Sequence, residues 1–375
     1  MSPPGRQTWL ALVGSAALGL YHLRLWRGEA AAADARRRGR KAPAQGLPRH
    51  PKVTILVAAW NEREGIERHL ASVRALRYPS LEYVLVAGGS DGTYERAESL
   101  LAGTEALLLR QEPGEGKQRA LRRGWARASG EIVYLTDADC ELTDQALEGL
   151  VAPIAAGAGA ATGRCQPFPE ELRAHPGLLF QWASEYVAQT RLGATSPGLQ
   201  GGNCAVSRDA LERAGAFDAD VRTGTDYHLA RALARTGVTI AYASDSVVST
   251  EMPHEVGAYM RRQSRWLRNH WIHGRTTGDR AAQAHALRTW GIGAALLGLA
   301  LAGVLFSRPL LLLWWLLVLH GSLARARYAA FLARAEGLRL HAANLLVAPA
   351  WFLIDAASWL RSLVDTLVPN RRGAW

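Results

Sequence analysis

The sequence predicts an α/β domain with a mainly parallel sheet, flanked by membrane-spanning helices, one before it and two or three after it. Three observations carry this expectation. Between Pro48 and Thr250, short apolar runs rich in β-branched residues alternate with stretches of 3.6-residue periodicity, the pattern of strands joined by helices. Long uncharged stretches lie near both ends of the 375-residue chain. Polar clusters directly follow several of the apolar runs, and in open parallel sheets ligands bind beyond the carboxyl ends of the strands.

Taken in order, Val53–Trp60 (VTILVAAW), Leu81–Gly89, Glu105–Arg110 and Glu131–Asp139 read as buried strands, because they are continuously apolar rather than alternating. Asn61-Glu62 follows the first, Ser90-Asp91-Gly92 the second, and Asp137-Ala138-Asp139 closes the fourth. Three strand ends are thereby expected at one site.

Thr8–Leu23 holds no Arg, Lys, Asp or Glu and is followed by Arg24, Arg27 and the run Arg36, Arg37, Arg38, Arg40, Lys41. That is a short anchor with its basic flank inside. A cleaved signal peptide would carry only Arg6 ahead of its apolar stretch, a weak basic region. Thr289–Ala324 carries one charge, Arg308, in 36 residues. As a single helix this would reach roughly 54 Å, nearly twice the bilayer core, so two helices with a turn at Ser307-Arg308-Pro309 are expected. Arg325, Arg327, Arg334 and Arg339 return the chain to the cytoplasmic side. His341–Leu360 reads as a third span, with an interfacial helix as its alternative, and Arg371-Arg372 favour an inside carboxyl terminus. The expected division is an anchor at 1–28, a basic linker at 29–47, the α/β domain at 48–252, interfacial amphipathic helices at 253–286 and a membrane region at 287–375.

Composition excludes other classes. With 49% hydrophobic and 21% charged residues the chain can bury a core, which excludes wholesale disorder. The net charge of +11 invites a nucleic-acid reading, but the arginines cluster beside the membrane segments and no groove-reading motif appears. Cys140, Cys165 and Cys204 are isolated, which suggests neither a disulfide framework nor a zinc site.

Asp137 and Asp139 carry the most chemical information. Two aspartates separated by one small residue at a strand end can hold a hard divalent cation while leaving positions for phosphate oxygens. A bare pair of this kind is common by chance, but this one ends an apolar strand and follows GEGKQRALRRG, where Lys117 opens a helix from a glycine-rich turn. A lysine there suits a phosphate, and lysine is otherwise found only at 41 and 52.

The ordered set AAWNE, SDGT, GKQRAL, TDAD, GGNCAVSR, GTD and RQSRW, over residues 50 to 275, resembles the membrane-integrated family 2 glycosyltransferases, which include cellulose, chitin, hyaluronan and poly-N-acetylglucosamine synthases and ceramide glucosyltransferase. The resemblance implies a GT-A fold, a UDP-sugar donor, Mg²⁺ or Mn²⁺, and transfer with inversion. It implies Asp139 as metal ligand, and Glu62, Lys117, Asp137 and Arg265 on the donor. Gly201-Gly202-Asn203, Arg208 and Trp266 fall to the acceptor side, and Asp226 becomes the general base. Three departures stand out: Ala87-Gly88-Gly89 replaces the acid expected to contact the base, Thr225 the middle of the TED motif, and Arg262 the first position of QxxRW.

The expected protein is an inner-membrane enzyme of polysaccharide synthase type, its catalytic domain cytoplasmic, with a nucleotide sugar, a glycan or lipid acceptor and membrane lipids as its partners and no nucleic acid. A glycolipid synthase and a non-catalytic nucleotide or glycan receptor are the alternatives. Three or four spans are too few to wall a polymer channel, so a secreted polymer would need a homo-oligomer or an accessory membrane protein.

Overall fold

The computed structural model describes residues 6–38, 47 and 49–368. Helix α1 (Arg6–Arg38) comes first, followed by β1 (Val53–Trp60), α2 (Ile66–Arg74), β2 (Leu81–Gly88), α3 (Thr93–Leu101), β3 (Leu107–Arg110), α4 (Gly116–Trp125) and β4 (Ile132–Asp137). Next come β5 (Cys140–Glu141), α5 (Asp144–Ala155), β6 (Ala160–Pro167), α6 (Pro169–Ala174), α7 (Gly177–Gln189), β7 (Thr195–Ser196), β8 (Cys204–Ser207), α8 (Arg208–Arg213), α9 (Thr225–Arg235) and β9 (Ile240–Thr250). The chain closes with α10 (Val256–Thr277), α11 (Arg280–Leu305), α12 (Arg308–Glu336), α13 (Ala342–Leu345) and α14 (Ala348–Leu367). It divides into two compact units, a helical one formed by Met1–Arg40, Glu170–Arg191 and Met252–Trp375, and an α/β one formed by Lys41–Pro169 and Leu192–Glu251. The stretch 48–252, read from sequence as one domain, thus lends residues 170–191 to the helical unit.

The α/β unit is built on a sheet ordered β3-β2-β1-β4-β8-β6-β9-β5, with β7 added beside β9. The expected strands form with small losses at their ends, and β1, β2, β3 and β4 run parallel. The antiparallel β8 then enters between β4 and β6. Because β1 is central, both its faces are covered and its alternation separates two cores. Val53, Ile55, Val57 and Ala59 join Ile66, Leu70, Ala97, Leu147 and Leu150 on one side, while Leu56 joins Leu121, Val133, Val206, Leu229 and Leu233 on the other. Each fully buried Leu, Ile or Val contributes about 1.5–3 kcal/mol.

Glycines set the close approaches. A Cβ on Gly124 of α4 would come within 3.0 Å of Leu56 Cδ1 and lie 3.1 Å from Val86 Cγ2, so the glycine lets the helix settle on β1 and β2. Gly163 occupies the register shift between β6 and β9, where a Cβ would lie 2.5 Å from the Ser246 carbonyl oxygen.

In the helical unit, α11, α12 and the segment Ala342–Leu367 are long and apolar enough to cross a membrane. The turn between the first two falls at Phe306-Ser307, slightly ahead of the expected Ser307-Arg308-Pro309, because Arg308 and Pro309 already form the first turn of α12. Helix α1 does not stop at residue 28 but continues to Arg38, and its acidic residues face α12: Glu29 pairs with Arg327 at 2.9 Å and Asp34 with Arg334 at 2.6 Å. Arg40, Lys41, Arg371 and Arg372, used in the topology argument, lie outside the described residues. Between α12 and α14 the half-buried Arg325 pairs with the buried Asp355, whose Oδ1 also accepts the Tyr259 hydroxyl of α10 at 2.7 Å. Arg325 further donates to the Phe180 carbonyl of α7 at 3.0 Å, so one ion pair ties four helices.

Gly163→Ala should destabilise the protein by about 1–3 kcal/mol, since the Ser246 carbonyl and the fully buried, hydrogen-bonded side chains of Asn203 and Ser246 stand in the way. The thermal melting temperature of the purified full-length variant measures it, and an unchanged value would refute the packing argument.

Candidate active site

The loops at the carboxyl ends of β1 and β2 are bound to one another before any ligand is considered. Asn61 adopts φ 59°, and its side-chain carbonyl accepts the Ser90 N–H at 2.8 Å. Asp91 accepts the Thr93 N–H at 3.0 Å and the Arg63 N–H at 3.1 Å, while Thr93 Oγ1 accepts the Glu62 N–H at 2.8 Å. These bonds hold Glu62 over the end of the sheet, beside the carboxylates that follow β4.

Those carboxylates crowd. Burial first, then Asp139, Asp137, Glu251 and Asp91 in turn, push the Glu62 carboxyl up to about 8. Asp139 is pushed up to about 6, by burial and then by Asp137. The counterweight is Lys117, whose ammonium is bonded to Asp137. Burial alone would lower its pKa; Asp137 above all, then Asp226 and Asp139, more than offset this and keep it protonated. A cluster of hard oxygen donors short of positive charge fits a divalent cation. Among the described residues no three His, Cys, Asp or Glu side chains form a ready-made cage. Asp137 and Asp139 are the members of this cluster whose carboxylates would hold such a cation.

The second wall is the loop before β8. A Cβ on Gly201 would lie 3.2 Å from Asp226 Oδ2, and one on Gly202 would lie 2.9 Å from Cys140 Sγ and 3.6 Å from Asp137 Oδ2. Bare backbone therefore fills the gap between Asp226 and Asp137. Asp226 sits in the first turn of α9, which starts from Gly224 at φ 69°, and its Oδ1 accepts the Tyr227 N–H at 2.9 Å.

Not every residue assigned from sequence arrives here. Asn203 is fully buried: its amide donates to the carbonyls of Arg164 at 3.0 Å and Ser246 at 3.1 Å, and its Oδ1 accepts the Tyr134 hydroxyl at 2.6 Å. It fixes the Gly201-Gly202 loop from beneath and has no group left for an acceptor. Arg208 lies at the opposite end of the sheet, donating to the carbonyls of Gly130 at 2.9 Å and Ala128 at 2.8 Å, just before β4, and stacking on Trp125 at 4.3 Å. Its side chain is consumed in closing that end, so the acceptor role expected for it is corrected to a structural one. Arg265 and Trp266 lie on α10 of the helical unit, with the Arg262 guanidinium 4.9 Å from the Trp266 ring.

Sequence reasoning missed Glu251 at the end of β9 and His69 on α2. His69 is buried, with Nδ1 2.7 Å from the Cys140 carbonyl and Nε2 3.0 Å from the Tyr83 hydroxyl. Burial drives its pKa down to about 4, so the neutral ring donates from Nδ1 to the carbonyl that follows Asp139 and accepts the Tyr83 proton at Nε2. A histidine on an apolar helix face carries no sequence signal of such a partner.

The model of the family described as glycosyltransferase like family 2 matches residues 50–269. The glycosyltransferase AglE of Haloferax volcanii is 26% identical over 224 residues, covering 57% of this chain and 71% of that protein. A poly-beta-1,6-N-acetyl-D-glucosamine synthase of Staphylococcus aureus is 34% identical over 88 residues, a match spanning 23% of this chain and only 21% of the synthase. The solved mannosyltransferase PcManGT from Pyrobaculum calidifontis, in complex with GDP-Man and Mn²⁺, superposes with a TM-score of 0.54 at 22% identity, over 96% of this chain and 99% of that one. The likeness shows the GT-A fold.

Arg208→Met should lower the melting temperature yet leave the KM for any acceptor within about twofold, because the guanidinium holds backbone remote from Asp226. A raised acceptor KM at normal stability would restore the acceptor assignment.

Proposed function

Because the chain belongs to glycosyltransferase like family 2, we propose that it is a membrane-bound, inverting hexosyltransferase that moves a sugar from a UDP-sugar to a glycan or lipid-linked hydroxyl at the cytoplasmic face of the cell membrane. The observation that carries this reading is the convergence of Lys117, Asp137, Asp139 and Asp226 around the side-chain-free Gly201-Gly202 loop. Asp139, with Asp137 beside it, would hold Mg²⁺ or Mn²⁺. Once bound, the cation supplies charge compensation for a diphosphate leaving group. Lys117 adds a second positive charge that steers the phosphates to the end of β4.

Asp226 stands across the Gly201-Gly202 backbone from Asp137, which suits a base acting on the acceptor rather than a donor ligand. It takes the proton of the acceptor hydroxyl as that oxygen attacks the anomeric carbon on the face opposite the leaving diphosphate. Arg265 is assigned to the diphosphate and Trp266 to the acceptor on the sequence resemblance alone. The membrane segments bear on the product class. Three helices among the described residues are long and apolar enough to span, which favours a lipid-linked or short glycan, or a polymer made with a second membrane subunit.

The test is nucleotide release from a screen of nucleotide sugars by the purified protein, with product mass. Asp139→Asn and excess chelator should each abolish transfer; full turnover in chelator would remove the metal from the scheme. Asp226→Asn should keep donor affinity near normal while transfer falls on the order of 10²–10⁴-fold. Parallel loss of binding and turnover would make Asp226 a donor or structural residue instead.

A further inference from the structure

The segment Ala342–Leu367 is long and apolar enough to cross a bilayer, yet the contacts of α14 do not describe a crossing. The hairpin of α11 and α12, with its turn at Phe306-Ser307, measures the depth of each. Arg325, which pairs with Asp355, lies roughly 26 Å along α12 from Arg308 at about 1.5 Å per residue. Trp290, whose indole N–H donates to Ser362 Oγ at 3.2 Å, lies roughly 24 Å along α11 from Phe306. Asp355 and Ser362 are thus held at nearly one depth, although about 10 Å of helix separates them. Two glycines repeat the pattern, each roughly 20 Å from the turn. Gly321 of α12 leaves room for the Phe352 ring, and a Cβ on Gly293 of α11 would lie 3.4 Å from Leu360 Cγ. Helix α14 therefore lies across the hairpin instead of running along it.

Over the same length α14 is bonded to α10. Asp355, Ser358, Ser362 and Asp365 recur at helical spacing on one face and are 7% exposed or less. Asp355 accepts the Tyr259 hydroxyl at 2.7 Å, Asp365 accepts the Ser264 hydroxyl at 2.9 Å, and the Ser362 hydroxyl donates to the Ser264 carbonyl at 3.2 Å. Were α14 to cross the bilayer, α10 would have to follow it, carrying Arg261, Arg262, Arg265, Arg268 and Arg275 into hydrocarbon. The other face of the segment is apolar and open. Leu346, Leu353, Val364 and Leu367 are 42% exposed or more, with the exposed Ala350 and Ala357 between them at the same spacing. A helix that buries its acids against protein and opens an apolar stripe along its whole length suits a lipid surface.

We propose that α14 is an in-plane membrane helix, lying in the leaflet on the side where α10 lies, with the acyl chains of that leaflet as the partner of its apolar stripe. The segment expected as a third span is then interfacial, and the chain beyond it returns to the side of Arg339. The inference rests on the membrane reading above. It adds that only α11 and α12 cross after the α/β domain, and that a lipid-seated helix holds α10, with its Arg265 and Trp266, at the membrane surface.

The experiment uses the full-length protein in the membrane of expressing cells, with single cysteines as Ser307→Cys in the hairpin turn, Arg339→Cys between α12 and α13, or a cysteine appended after Trp375. Ser307 and Arg339 are exposed, and the three native cysteines are buried and stay silent. A membrane-impermeant maleimide, applied to intact and then to permeabilised cells, should find Ser307→Cys on one side and the other two cysteines on the opposite side. An appended cysteine that reacts on the side of Ser307→Cys means that α14 crosses, which overturns the inference and leaves the membrane reading standing. Ser307→Cys and Arg339→Cys on one side overturn the spanning hairpin and this inference together. In lipid vesicles, a fluorophore on Leu353→Cys or on Val364→Cys should be quenched best by acyl chains brominated at the same depth. A crossing helix would set the two roughly 16 Å apart in depth, so unequal depths refute the in-plane placement. Disulfide-linked dimers through Leu353→Cys would put a second copy of the chain on the stripe and overturn lipid as its partner.

Discussion

Mutual repulsion among carboxylates held at one end of the sheet is the constraint on which the α/β unit depends. Asp137, Asp139, Glu62 and Asp226 would separate in a free chain, and here each is fixed by its element: the end of β4, the turn after it, the β1 loop and the first turn of α9. Lys117 relieves part of the repulsion by bonding Asp137, and burial makes the remainder costly enough to push Glu62 and Asp139 toward their neutral forms. A site poised in this way favours an incoming cation and a phosphate-bearing ligand together, because each supplies the charge that the other lacks.

The rigidity that keeps such a cluster in place comes from groups that never touch a ligand. Asn203 uses its side-chain amide to bind β6 and β9 to the Gly201-Gly202 loop, and Ser246 completes that knot by donating to the Ala146 carbonyl at 2.7 Å. On the other side His69 connects α2 to the backbone after Asp139. Glycines then shape the space, and the Cβ positions blocked at 124, 163 and 202 are as informative as any side chain present. The helical unit uses a different device. Arg325 and Asp355 form a largely buried ion pair among apolar helices, where removing either partner would leave the other's charge uncompensated.

Residues close in sequence divide in their placement. Asp137, Lys117, Gly202 and Asp226 converge at one end of the sheet. Arg208 and Asn203 stand in the same stretch of sequence, yet one closes the far end of the sheet and the other lies beneath the loop. Proximity along the chain is therefore a poor guide to role across β8, because that strand runs antiparallel to β4 and carries Asn203 toward the site while carrying Arg208 away from it.

The sequence by itself determined the first four strands and the helices between them, the apolar spans and the acidic pair, because each is written in local periodicity: an apolar run buried on both faces, a polar break at its end, a stretch long enough for a bilayer. It left open the continuation of α1 to Arg38, which the ion pairs of Glu29 and Asp34 with α12 support some 300 residues away. It was equally silent on the buried bonds of His69 and on the placement of Arg208. Those roles were decided only by tertiary structure, since a hydrogen bond from residue 69 to residue 140, or from 208 to 130, exists only after the sheet order β1-β4-β8 has brought distant segments within reach.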